Sequence, residues 1–417
     1  MTSSTPFLFA TGVENSYPTI AGGVRIDQMD KCGHYARWEE DFALVRESGL
    51  NALRYGPPYY RVHTAPHTYD WEICDPQMHR LRDLGITVIA DLCHFGVPSW
   101  LGGFQDPAFP VLFGEYARAF ARRYPWIRHF TPVNEIFIAA NFSALKGWWN
   151  ECQKSDAAFV RAIRNLCMAH ELAVEAILSE RPDAIIVQGE SIEHFHAAGR
   201  TADHEAERLN GLKHLSLDLT MGRELAPGMA RFLNQHGVTS NDLSFFREPR
   251  AVGQRWLGVD YYPTCEHRVS STGRCTVTQS MAMGLRRLAT QYHERYQVPI
   301  FHCETNRVSH LAVEWLDHQW SDILAMRASG ISVMGFTWYS LTDQIDWDSA
   351  LREQNGHVNA LGLYDLDRNI RNVGTAYKQL IRDWREVLPA SSVCLTVPLA
   401  APDSDEPLEN TRAAYRR

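Results

Sequence analysis

Two glutamates stand out as side chains able to do chemistry. Glu135 closes the run Thr131-Pro132-Val133-Asn134-Glu135, and Glu304 lies in Pro299-Ile300-Phe301-His302-Cys303-Glu304-Thr305-Asn306. Each follows a short apolar stretch that reads as a buried parallel strand, and each falls where such a strand ends. Catalytic side chains of a (β/α)8 barrel project from the C-terminal ends of its strands. Two carboxyls on opposite walls of one barrel mouth are what cleavage of a glycosidic bond needs, one as acid and the other as nucleophile or base. Asn134, directly before Glu135, is placed to hold a sugar 2-hydroxyl while the Glu reaches the glycosidic oxygen. An Asn-Glu dipeptide is common in unrelated helices, and its weight comes from its position after a strand. The bland alternative for Glu135 is a strand-end salt bridge.

A nucleophile has to be kept ionised by positive or hydrogen-bond-donating neighbours. Arg54, in Leu53-Arg54-Tyr55, and Tyr262, in Gly258-Val259-Asp260-Tyr261-Tyr262, end strands two and six and are the candidates for Glu304. Otherwise Arg54 pairs with a structural carboxylate and Tyr262 packs. Aromatic faces should surround a sugar, and Trp100, Trp148, Trp149, Trp338 and Trp347 fall in or beside loops at the expected mouth. Tryptophans are more often packing residues. Trp338 and Trp347 stand out because Trp338-Tyr339-Ser340 closes strand eight and Asp346-Trp347 follows in the loop. His94, at the end of strand three, is placed to bind a sugar hydroxyl. Glu190 and Glu193 either read substrate hydroxyls or cap and solvate the loop after strand five.

His63, His67, His194 and His196 form loose pairs without a Cys or acidic partner at ligand spacing, so they read as loop histidines and no metal is expected. No GxGxxG after a strand, GxxxxGK[ST] or HExxH occurs, and no cofactor is expected.

The elements that must position these residues alternate strand, loop and helix, which argues for a parallel sheet. Candidate strands cover Thr11–Glu14, Ala52–Tyr55, Thr87–Leu92, His129–Asn134, Ala184–Gly189, Trp256–Tyr262, Ile300–Glu304 and Val333–Tyr339, the eight that close such a barrel. Apolar periodicity predicts helices over Asp156–Ser179, with Asp156 as N-cap, and over Phe109–Arg123 and Ala312–Ala328. Ser191 to Arg250 reads as a large insertion with helical pieces, and Asp343 to Asn359 as a polar loop. The expected fold is a single (β/α)8 barrel over residues 1–389 with long βα-loop insertions, followed by a disordered tail over 390–417.

The 417 residues are 45% hydrophobic and 22% charged, which suits a globular chain with a large core. A net charge of −8 with scattered Lys and Arg argues against a nucleic-acid or anionic-membrane surface and favours a neutral substrate. No segment has the ~20 apolar residues of a membrane helix, and Met1-Thr2-Ser3-Ser4-Thr5-Pro6 is not a secretory signal. Nine cysteines, dispersed and without a CxxC pair, suggest free thiols in a reducing cytosol. The oligomeric state stays open, a homo-oligomer included.

With these residues in place, the chain resembles the family 1 glycoside hydrolases over most of Phe7 to Ile381. Phe7-Leu8-Phe9-Ala10-Thr11 looks like that family's opening strand, and Asp91-Leu92-Cys93-His94-Phe95-Gly96-Val97-Pro98 resembles its sugar-binding strand-three motif. Thr131-Pro132-Val133-Asn134-Glu135 matches Thr-x-Asn-Glu, which implies acid/base for Glu135 and 2-hydroxyl contact for Asn134. Glu304 matches the nucleophile, and Leu257-Gly258-Val259-Asp260-Tyr261-Tyr262 resembles the strand whose Tyr, here Tyr262, contacts it. Ser340-Leu341-Thr342-Asp343-Gln344-Ile345-Asp346-Trp347 and Leu361-Gly362-Leu363-Tyr364 resemble the strand-eight region. The departures are Ile136 where the family has Pro, Thr305-Asn306 for Asn-Gly, Pro18 for a sugar-binding Gln, and Asp346-Trp347 for Glu-Trp. Trp338 is offset by one residue unless Tyr339 takes its place. The resemblance implies a retaining exo-β-glycosidase with an altered grip on the distal hydroxyls. The rivals are a catalytically silent sugar-binding barrel on the same fold, and a barrel lyase or isomerase, which would leave Asn134 and the Trp-rich mouth without purpose.

Overall fold

The computed structural model describes residues 6–248, 253–278 and 282–388. The expected tail from residue 390 lies outside them. Eight strands close a parallel barrel: β1 (Leu8–Gly12), β2 (Ala52–Tyr55), β3 (Thr87–Asp91), β4 (His129–Thr131), β5 (Ile185–Ser191), β6 (Gln254–Asp260), β7 (Ile300–Glu304) and β8 (Val333–Trp338). Each strand pairs with its sequence neighbours, and β1 joins β8 through Leu8↔Gly335 and β2 through Ala10↔Ala52. The opening strand starts at Leu8, not Thr11. Leu8 and Ala10 point into the barrel, so pairing on both sides is best met by the earlier segment, and Val13 and Glu14 are left in the loop at the mouth.

Side-chain alternation divides the apolar residues into two cores. Leu8, Ala10, Ala52, Ile89, Ile185, Val187, Trp256, Phe301 and Cys303 fill the barrel interior. Their outward neighbours, such as Phe9, Leu53, Val88, Ile186 and Leu257, pack against the helical ring. That ring includes α1 (His34–Glu47), α2 (Asp75–Asp83), α3 (Phe109–Arg123), α4 (Asp156–Glu180), α5 (Gly284–Tyr296), α6 (Ala312–Ala328) and α7 (Asn372–Trp384). The helices expected over Phe109–Arg123 and Ala312–Ala328 form with those bounds, and α4 runs one residue further than expected. Its N-cap is Ser155, whose Oγ accepts from the Ala158 amide at 3.2 Å. Asp156 sits instead in the first turn, where its charge suits the helix dipole.

The insertion after β5 contains four short helices, Asp203–Leu212, Leu215–Thr220, Pro227–Gln235 and Ser240–Arg247. It also carries a strand, His194–Ala197, paired in parallel with Glu266–Val269. Among the described residues no helix is long and apolar enough to cross a membrane.

One departure from regular pairing matters for the mouth. Val259 pairs with His302, but Asp260 pairs with Glu304, so Cys303 is an extra residue on β7. Strict alternation from Phe301 would place Cys303 inside and Glu304 outside. The register shift turns both inward, the use to which irregular pairing is put beside active sites. Room for Cys303 comes from glycine, because a Cβ on Gly258 would lie 2.5 Å from Cys303 Sγ and 2.7 Å from the Gly189 Cα. Gly258→Ala should therefore overpack the interior and cost about 1–3 kcal/mol, read as a lowered urea midpoint. An unchanged midpoint would show that the strands can separate there at no cost.

Candidate active site

The ends of β2, β3, β4, β6 and β7 converge on one buried guanidinium. Arg54, 1% exposed, donates through Nη1 to Glu304 Oε1, and through Nη2 to Asn134 Oδ1 at 2.7 Å and Asp91 Oδ2 at 3.2 Å. The second oxygen of Glu304 accepts from the Tyr262 hydroxyl at 2.6 Å. Both Glu304 oxygens thus meet donors, an arrangement that favours a carboxylate. His94 contacts Asp91 Oδ2 through Nδ1 at 2.7 Å, and Asn134 Nδ2 lies 3.2 Å from His94 Nε2. Glu304, Arg54, Asn134, Asp91 and His94 form one hydrogen-bonded chain in which each group orients the next.

Glu135 faces this chain under a different set of constraints. Its backbone is left-handed, with φ 42°, a conformation that costs a side-chain-bearing residue energy and must be imposed by its surroundings. The amide of Asn134 bonds to the Cys93 carbonyl and that of Glu135 to the Gly189 carbonyl, each at 3.0 Å, and Glu135 caps the short helix Ile136–Ala140. Burial, then Asp260 and Glu304, raises the Glu135 carboxyl well above the usual carboxylate range. Glu135, Asp260 and Glu304 each present an oxygen within 4.8 Å of the others, the one group of His, Cys, Asp and Glu among the described residues that is close enough to hold a metal ion. Behind them Glu190 accepts from the Phe137 amide at 3.2 Å, and burial pushes its carboxyl up to about 7.

These groups open into a cavity of about 550 Å³ lined by Glu14, His94, Glu135, Glu304, Gln344 and Trp347, among others. Of the expected residues, Glu135, Glu304, His94, Tyr262 and Trp347 line it, while Arg54 and Asn134 stand just behind. Two do not reach it. Trp338 is fully buried with Nε1 donating to the Leu361 carbonyl at 2.9 Å, because the side chain of a strand's last residue follows the strand's alternation and here points outward. Tyr339 takes the inward place, its ring 6.2 Å from that of His94 and 5.4 Å from the Arg54 guanidinium carbon. Asp346 is likewise committed elsewhere, to Lys31 Nζ at 2.7 Å and to the amides of Asn355 and His357 at 3.1 and 2.9 Å. It shapes the loop that carries Trp347.

Of the remaining tryptophans, Trp149 is buried beneath Trp347, Trp148 lies under Arg352, and Trp100 donates to the His63 carbonyl. Glu193 lines the cavity and is held by His267 at 2.6 Å. His194 and His196 stand on a strand and not in a loop, with His196 bonded to Glu266 at 2.8 Å.

Four residues of the site escaped sequence reasoning, among them Asp91, which joins Arg54 to His94. Asp260 ends β6 two positions before Tyr262, and a polar residue closing an apolar strand was its available signal. Glu14 accepts from the Ser16 amide and from Gln344 Nε2, both at 3.0 Å. Nothing in the sequence joins Glu14 to Gln344, 330 positions apart.

A closed parallel barrel with its polar groups gathered at the C-terminal strand ends is the architecture of a (β/α)8-barrel enzyme. The family model for glycosyl hydrolase family 1 matches residues 24–210. A β-glucosidase of Agrobacterium is 23% identical over 396 residues, covering 84% of each chain. A 6-phospho-β-glucosidase of Dickeya chrysanthemi is 24% identical over 300 residues, 64% of each chain. The structure of a family 1 β-glucosidase from Thermotoga maritima superposes with a TM-score of 0.75 at 17% identity, over 91% of this chain and 98% of that one. The chain is thus similar, at low identity, to family 1 of the glycosyl hydrolases.

Arg54→Met should cost about 3–5 kcal/mol, because it strands two buried carboxylates without their counter-charge. Chemical denaturation at pH 7 measures this, and a loss under about 1 kcal/mol would mean that the cluster does not depend on the guanidinium.

Proposed function

We propose that this protein is a retaining exo-β-glycosidase in which Glu304 is the nucleophile and Glu135 the acid/base. The observation that carries the reading is the contrast between two facing carboxyls. Glu304 is tied by Arg54 and Tyr262, and Glu135 is raised toward its neutral form. Such a divergence of environments is what divides acid from nucleophile between like residues. The nearest oxygens of the two carboxyls lie within 4.8 Å of each other, which suits the closely spaced pair that retention uses.

In this mechanism Glu304 attacks the anomeric carbon as Glu135 protonates the departing oxygen. Glu135, now ionised, then draws a proton from water, which releases the sugar from Glu304 with net retention. Asn134, held by Arg54 and beside His94, is the contact for the 2-hydroxyl. Glu14, Gln344 and His94 offer acceptors and donors to the remaining hydroxyls, and Trp347 a face for the ring. A wall closed by these groups suits a terminal sugar, which is the basis of the exo reading. A Thermotoga β-glucosidase structure at TM-score 0.76 holds deoxynojirimycin, which supports a carbohydrate ligand here. The eight described cysteines are free, which fits a reducing, cytoplasmic setting.

Hydrolysis of a panel of aryl β-glycosides tests the reading and names the glycone. Glu304→Ala should lose several orders of magnitude in kcat, with azide restoring turnover to a glycosyl azide of inverted configuration. Near-wild-type turnover by that variant would sink the assignment. Silence of the wild type across the panel, with sugar binding seen by calorimetry, would favour the silent binding barrel.

The raised proton affinity of Glu135 also sets a pH dependence. A group that works protonated and whose value lies above the ordinary ~4.3 keeps its proton to correspondingly higher pH. Activity then falls as pH rises through that higher value. In kcat/KM against pH the basic limb should lie well above pH 4.3, and Glu135→Ala should abolish it while lowering kcat about 10²–10⁴-fold on poor leaving groups. A basic limb that survives in that variant would assign the acid elsewhere.

A further inference from the structure

Asp260 is the one carboxyl of the centre to which neither the fold nor the mechanism assigns a task. It is 0% exposed and neither oxygen accepts a hydrogen bond. It stands inside the site, with an oxygen within 4.8 Å of both Glu135 and Glu304. Its Oδ2 flanks the point where Gly189 lacks a Cβ, 3.3 Å away, with Asn134 Oδ1 at 3.2 Å and Arg54 Nη2 at 3.9 Å from the same point. The groups facing it are Arg54 from β2, Asp91 from β3, Glu135 after β4, Glu190 from β5, Glu304 from β7, and Tyr262 just beyond its own strand. Five of those six are carboxyls or a phenol, and the sixth is the one guanidinium, which bonds to Glu304 and Asp91.

We propose that Asp260 is a proton-carrying third carboxyl of the active centre, a positioning residue that donates a hydrogen bond toward the Glu135–Glu304 pair and limits the negative charge there to what Arg54 can balance. The proposal rests on the assignment of Glu135 and Glu304 made above. Three adjacent carboxylates cannot all ionise around one cation. Glu304 already has two donors and Glu135 opens to the cavity, whereas Asp260 has neither donor nor solvent, and an ionised carboxylate without either is prohibitively costly to bury. Asp260 therefore carries a proton of its own, beside the one that Glu135 holds as the acid. Burial, followed by Glu304, drives its carboxyl well above the usual range, with Arg54 opposing. A protonated Asp260 is a donor, and the carboxyl oxygens it faces within 4.8 Å are those of Glu135 and Glu304. A metal ion in the same three-carboxyl group would instead sit beside the Arg54 guanidinium, which repels it.

The test is an infrared spectrum of protein labelled with ¹³C only at aspartate carboxyls, compared between wild type and Asp260→Asn at pH 7. The expected result is a protonated-carboxyl carbonyl band in the wild type that Asp260→Asn lacks. Spectra differing only in carboxylate bands would overturn the proposal. The spectrum needs no substrate, so failure of the glycosidase reading is read separately on the aryl glycosides.

Activity supplies a second readout. Asp260→Asn keeps a neutral donor of the same shape, so the basic limb of kcat/KM should stay within about half a pH unit of the wild type. Asp260→Ala should fall about tenfold in kcat below Asp260→Asn, the cost of a lost hydrogen bond. A basic limb moved down by about one unit or more in Asp260→Asn would show that a negative charge had been removed, and overturns the proposal. Wild-type turnover abolished by chelator and restored by calcium or manganese would put a cation in place of the proton and overturn it as well.

Discussion

One buried guanidinium governs the mouth of this barrel. Arg54 reaches Glu304, Asn134 and Asp91 from the end of a single strand, and through Asp91 and Asn134 it also orients His94. A fully buried cation is tolerable only when matched by carboxylates and satisfied by acceptors. The same guanidinium, with the Tyr262 hydroxyl, gives both oxygens of Glu304 a donor. Charge balance and side-chain orientation are therefore one constraint.

The barrel meets that constraint by packing rather than by flexibility. Its interior is largely apolar over the lower layers, through residues such as Trp256, Phe301 and Val187, with His129 packed against Trp256, and its charged groups gather at the last inward positions of several strands. An apolar floor under a polar layer excludes water from below, and electrostatic interactions strengthen in such surroundings. The register shift at Cys303 and the absence of a side chain at Gly258 and Gly189 let β6 and β7 bring Asp260 and Glu304 side by side. Across the mouth, the strained backbone at Glu135 is held by amides bonded to two neighbouring strands. Sheet hydrogen bonds thus impose a conformation that Glu135 alone would not choose.

The acidic groups gathered at the mouth outnumber the cations. Glu14, Asp91, Glu135, Glu190, Asp260 and Glu304 are all buried, and Arg54 with His94 is what faces them. Such an excess raises the proton affinity of the carboxyls that lack a cation. Raised carboxyls at Glu135, Glu190 and Asp260 are the same excess seen at three positions, and burial is the leading cause at each. Departures from the family pattern at Pro18 and Asp346 leave this inner shell untouched. Glu14 and Gln344 face the cavity, and Asp346 builds the loop that carries Trp347.

Much of this was legible in the chain alone. Short apolar runs at regular spacing, each ending in a polar side chain, determined eight parallel strands and put Arg54, His94, Asn134, Glu135, Tyr262 and Glu304 at one end of a barrel. That inference works because strand alternation and the placement of polar residues at strand ends are local properties of sequence. What only the tertiary structure decided is which side chains meet. Strict alternation would have sent Glu304 outward, and a one-residue shift against β6 turned it in. Trp338 and Asp346, both expected at the mouth, belong to the packing and the loop, because a strand's last alternation and a loop's path are set by neighbours far along the chain. Asp260 beside Glu135 and Glu304, and Glu14 against Gln344, are contacts between distant segments whose distances follow from barrel closure. A linear pattern names residues able to do chemistry; closing the barrel determines which of them share charge, and so which carries the proton.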